Sequence, residues 1–122
     1  MTSALHHIRL ELAREPGKPA GDSHSGYDIV APLDEAGRLD PKAARDVGES
    51  CRVRRFDKDE TVATGWLLSS GRGGWVLDFP GDTHDETGFR FGDERFTLGE
   101  YVSIKAPDGV MHTFRVAQLR AL

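Results

Sequence analysis

Hydrophobic and polar residues alternate at period two along much of this chain, which predicts strands joined by tight turns. Ile8, Leu10 and Leu12 are separated by Arg9 and Glu11, predicting a strand over 6–14 with one buried face, whereas a helix would scatter the three. Tyr27 to Leu33 reads as a second strand. Pro32 lies near its end and cannot donate to a ladder, so an edge position is expected. Further strands are predicted over 51–56, 61–70 and 75–79, the last two joined by Gly71-Arg72-Gly73-Gly74, with a short one at Phe89 to Phe91. The stretch 96–119 is the clearest, because two alternating segments flank Pro107-Asp108-Gly109. Proline presets the turn and Gly109 can adopt positive φ, so a three-residue hairpin loop is expected. It places Ala106 opposite Val110, Ile104 opposite His112, Val102 opposite Phe114 and Glu100 opposite Val116, gathering the apolar residues on one side. A two-residue loop would mix the faces.

Two stretches break the alternation: Glu15 to Gly26 and Pro80 to Gly88 are rich in Pro, Gly and polar residues and are expected to be surface loops. A third departure is helical. Asp40 followed by Pro41 is an N-cap with proline in the first turn, and Gly48 ends the run, so a short helix over about 41–47 is predicted to rest on the sheet, closing one end. The expected fold is mainly β. It is a small single-domain barrel, or a strongly bent antiparallel sheet, of about seven or eight short strands with one short helix, spanning 1–122.

Composition narrows the function classes. At 122 residues one core suffices, and the single Cys51, read as a buried thiol, excludes an internal disulfide and matches a reducing compartment. No basic segment leads an apolar run at the N-terminus and no long apolar stretch follows, so a cytoplasmic protein without membrane attachment is expected. A net charge of −4 argues against general nucleic-acid binding, which draws its energy from neutralised phosphates. The charge is unevenly spread: residues 38–58 hold seven cations and four anions, and residues 78–100 seven anions and two cations. Such opposed patches are either solvated faces or a docking surface.

The C-terminal hairpin resembles those of SH3-like small barrels. The chain also carries H-x-I-R-L at His6 to Leu10, C-R-V-R-R-F at Cys51 to Phe56, F-R-F-G-D at Phe89 to Asp93 and G-E-Y-V-S-I at Gly99 to Ile104. In these it resembles short uncharacterised bacterial β-rich proteins, a resemblance that implies no activity and no catalytic residue.

Three constellations carry candidate chemistry. Asp82, His84, Asp85 and Glu86 concentrate oxygen and imidazole donors in one loop, the raw material of a metal site or an acid/base pair, but a transition metal needs three or four converging donors, and a short loop rarely supplies them alone. His112, on the apolar side of the hairpin, is a second acid/base candidate. No nucleophile elbow, HExxH, CxxC or phosphate loop is present, and no cofactor is implied. The third constellation is Arg52, Arg54 and Arg55 with Phe56, beside Trp66 and Trp75, a mixture suited to an acidic protein segment or, through stacking, to single-stranded nucleic acid. Both tryptophans are expected in the core. Arg52 and Arg54 should point to one side and Arg55 to the other. Reversing the two outward charges should leave stability nearly unchanged. The leading expectation is a non-enzymatic binding module for another protein. A small metal-dependent or acid/base enzyme using the Asp82–Glu86 loop is second, and a nucleic-acid module third; the oligomeric state is left open.

Overall fold

The computed structural model describes residues 3–81, 86–89, 91–106 and 109–122. Eight strands follow one another: β1 (Ala4–Leu12), β2 (Asp22–Leu33), β3 (Arg52–Asp57), β4 (Glu60–Gly71), β5 (Gly74–Asp78), β6 (Glu86–Phe89), β7 (Tyr101–Lys105) and β8 (Met111–Ala121). Each pairs antiparallel with the next, and β1 also pairs with β8, so the sheet curls into a closed barrel. Inward side chains come from alternate positions: Ile8 and Leu10 on β1, Tyr27 and Ile29 on β2, Val53 on β3, Leu67 on β4, Trp75 and Leu77 on β5, Val102 and Ile104 on β7, Phe114 and Val116 on β8. They form one contiguous core, the main source of stability for a fold this size.

The helix α1 (Pro41–Val47) lies where its caps place it. The Asp40 side chain accepts a hydrogen bond from Ala43 N, satisfying one of the orphan donors of the first turn, and Pro41 occupies that turn. A 3-10 turn at Gly48–Ser50 then leads into β3. The helix packs on β2 and β4 and buries Ala44 beside the buried Leu39. Phe91 and Phe96, packed edge to face at 5.1 Å, complete the core on the stretch between β6 and β7.

The C-terminal hairpin has the expected register, Ile104 opposite His112 and Val102 opposite Phe114. Ala106 N donates to Val110 O and Gly109 N to Ala106 O, both at 2.9 Å, closing the loop, while Gly109 takes φ 86°. Pro107 and Asp108 lie outside the described residues.

Four expectations need correction. β2 is not an edge strand: it pairs with β1 along its length and with β3 from Gly26 to Val30. Pro32 is tolerated because it lies beyond the last β3 pair, so its missing N–H costs no ladder bond on that side. β2 also begins at Asp22, and only the turn before it is loop, because backbone pairing and the Asp22 side chain hold 22–26 despite their polar composition. β6 begins at Glu86, inside the stretch read as polar loop, and Phe91 falls in the following turn. Finally, Trp75 is in the core but Trp66 is on the outer face, because Leu67 and not Trp66 shares the inward side of β4.

Candidate functional site

Strand β3 separates the arginines as pleating requires. Arg55 pairs with Tyr27 and Ala63 on the inward side, whereas Arg52 and Arg54 lie outside. The two outward arginines have different surroundings. Arg9, Asp28 and Arg54 are direct cross-strand neighbours on β1, β2 and β3, forming a ladder of alternating charge. Asp28 is its hub: it accepts from Arg54 Nη1 at 2.6 Å, meets His7 Nε2 at 2.9 Å and lies 3.8 Å from Arg9 Nη1. Arg9 also donates to Glu11 at 2.9 Å, and Arg54 to Thr61.

Phe56 lies beneath this ladder. Its ring is 1% exposed, with the Arg9 guanidinium 4.2 Å and that of Arg54 5.4 Å from its centroid. It sits opposite Gly26, where the β1 backbone approaches so closely that an added Cβ would run into the Leu10 carbonyl. Phe56 is therefore covered and offers no face to a partner. Arg54 is likewise committed, so its reversal would set a carboxylate against Asp28 and lower stability, contrary to the expectation for a free surface charge.

Arg52 differs. It is exposed and lies directly opposite Trp66, which in turn pairs with Asp78 on β5. Leu68, two residues along β4, is 46% exposed. Between this face and the helix runs a groove of about 580 Å³, lined by Ala44, Arg45, Glu49, Trp66, Leu68 and Asp78. The outer surface thus carries an aromatic and an aliphatic side chain with cations at their borders, a composition common at protein interfaces.

No protein-family model, curated protein or solved structure matches the chain. Residue roles rest on this geometry alone.

The remaining sequence candidates divide. Asp82, His84 and Asp85 lie outside the described residues, as does the Glu86 side chain. Among the described residues no three His, Cys, Asp or Glu side chains converge on a common point, and no helix is long and apolar enough to cross a membrane. His112 is at one end of the barrel, 37% exposed, with Nδ1 2.9 Å from Glu15 Oε2. This partner, 97 residues away in sequence, left no signal in the local pattern. Cys51 is buried, and desolvation pushes its thiol up to about 11, so it is protonated and a poor nucleophile at neutral pH.

Proposed function

We propose that this chain is a non-enzymatic binding module that docks an acidic protein segment, anchored by an apolar residue, on the outer face of β3 and β4. The observation that carries the reading is the half-buried Trp66 on the outer face, paired with the exposed Arg52 and beside the exposed Leu68 at the border of the helix groove. A closed barrel pairs its first and last strands and offers no free sheet margin there, so recognition falls to side chains rather than to strand addition. Trp66 and Leu68 supply the apolar contact, and Arg45 and Arg52 supply charge for the partner's carboxylates. Glu49 and Asp78 also line the groove, so acidic residues are admitted beside the arginines and not along its whole length. The same two carboxylates repel a continuous phosphate backbone, which favours a protein over a nucleic acid.

A fluorescein-labelled peptide with glutamates flanking a Leu-Trp pair tests this by anisotropy, beside a control with glutamine at each glutamate. Saturable binding that weakens with salt, disappears in Trp66→Ala and Arg52→Glu, and resists competition by a single-stranded oligonucleotide supports the reading. Equal binding of the neutral peptide, or unchanged binding by both variants, overturns it.

A further inference from the structure

Resting on the docking face described above, we propose that the acidic segment its groove takes is the chain's own: the turn 97–100 of a second copy, with Leu98 seated against Trp66 and Leu68. Leu98 is 63% exposed, more than any other large hydrophobic side chain among the described residues. It stands at the tip of a tight turn, in which Glu100 N donates to Thr97 O at 3.1 Å and Gly99, at the third position, takes φ 86°. Such a turn needs the glycine, but nothing in its backbone calls for leucine before it.

The turn is preorganised. Gly99 N donates to Val116 O at 2.9 Å, Val116 N to Glu100 O at 2.8 Å and Phe96 N to Gly37 O at 2.7 Å, and the Phe96 side chain is fully buried at its base. Leu98 is therefore displayed on backbone that is already ordered, and docking it costs little conformational entropy. The same bonds hold the turn on β8 and on the Gly37 turn, and none of its residues lines the groove of its own chain. The occupant must come from another molecule.

Charge matches in both directions. Glu100 is exposed two residues after Leu98 and suits Arg45 and Arg52, while Arg95, exposed three residues before it, suits Glu49. Tyr101, 57% exposed, extends the apolar contact. Opposed pairs of both signs fix the register of a small interface and disfavour groove against groove. Because turn and groove are different surfaces, the contact is heterologous. One turn in one groove makes a small interface of the weak, transient class, so association is read at high protein concentration.

Sedimentation velocity of the full chain from micromolar to millimolar concentration tests this, beside Leu98→Ser, Trp66→Ala and an equimolar mixture of the two. The wild type should sediment faster as concentration rises, and return towards the monomer in high salt or with excess acidic Leu-Trp peptide. Each variant alone should associate at least about tenfold more weakly, because the burial of a large apolar side chain is lost. The mixture, in which one chain keeps the groove and the other the turn, should form dimers and stop there. Should Trp66→Ala lower the melting temperature, the exposed Arg52→Glu takes its place as the groove variant. A wild type that stays monomeric at millimolar concentration, a Leu98→Ser chain that associates like the wild type, or a mixture without dimers overturns the proposal. Leu98→Ser leaves the groove intact and should bind the labelled peptide as the wild type does. A monomeric wild type that binds the peptide therefore sinks only the self-docking, whereas a chain that binds neither sinks the docking face itself.

Discussion

Truncating Asp28 tests the most connected polar cluster of the barrel. Its side chain is 15% exposed and serves both His7 and Arg54, whereas Arg54 is 35% and Arg9 21% exposed. A charge-assisted hydrogen bond in a dry setting contributes about 1.5–3 kcal/mol, and an ion pair in open water about 0–1 kcal/mol. The Asp28–Arg54 bond lies between these limits, because one partner is shielded and the other is a third exposed. Asp28→Ala should therefore cost about 2 kcal/mol, including the loss of the His7 contact and of the restraint that keeps the guanidinium over Phe56. For a domain of this size that corresponds to a fall in melting temperature of roughly 6–10 °C. Urea unfolding of the wild type, Asp28→Ala, Arg54→Ala and the double variant, followed by tryptophan fluorescence, isolates the pairwise coupling, expected at about 1 kcal/mol. Additivity within about 0.3 kcal/mol would show that the ladder is a row of independent surface charges.

Three further outcomes follow from the local geometry. Gly109→Val should lower stability by about 1–3 kcal/mol, since a β-branched residue is strained at φ 86°, and an unchanged melting temperature would contradict the loop closure. Asp40→Ala should cost about 1 kcal/mol at neutral pH. The Ser3 hydroxyl and Ala43 N–H hold the Asp40 carboxyl below its usual value, so its contribution is present above the ordinary carboxylate range near 4 and is lost as pH falls through the lowered value; a penalty that grows on acidification would refute this. Cys51 should resist alkylation by iodoacetamide at pH 8 until denaturant is added, and fast native-state labelling would show that the thiol is not buried as described.

The parts legible in the sequence are those fixed by neighbours along the chain. Asp40, Pro41 and Gly48 bound the helix because caps act within one turn, and Gly109 fixes the register of β7 and β8 because a tight loop leaves one alignment with the apolar residues together. What depended on distant strands was not legible. Asp22 to Gly26 has a loop-like composition and becomes strand through its partners on β1 and β3. Trp66 and Leu67 both satisfy an alternating pattern, and only the closure of the sheet decides which is inside. Phe56 reads as either core or surface, yet it is buried on the outer side, under arginines from β1 and β3. The opposite orientations of Arg52 and Arg55 followed from pleating alone, but the commitment of Arg54 to Asp28 needed the strand order. Glu15 beside His112 required the whole closure of the barrel.

The docking claim is tested most directly by mapping the acidic Leu-Trp peptide onto the 15N-labelled chain by amide shift perturbation. The account predicts changes concentrated at Arg45, Arg52, Trp66 and Leu68, including the Trp66 indole N–H, with Tyr27, Arg55 and His112 unmoved. Changes centred on those last three residues, or a Trp66 indole signal indifferent to saturating peptide, would contradict it.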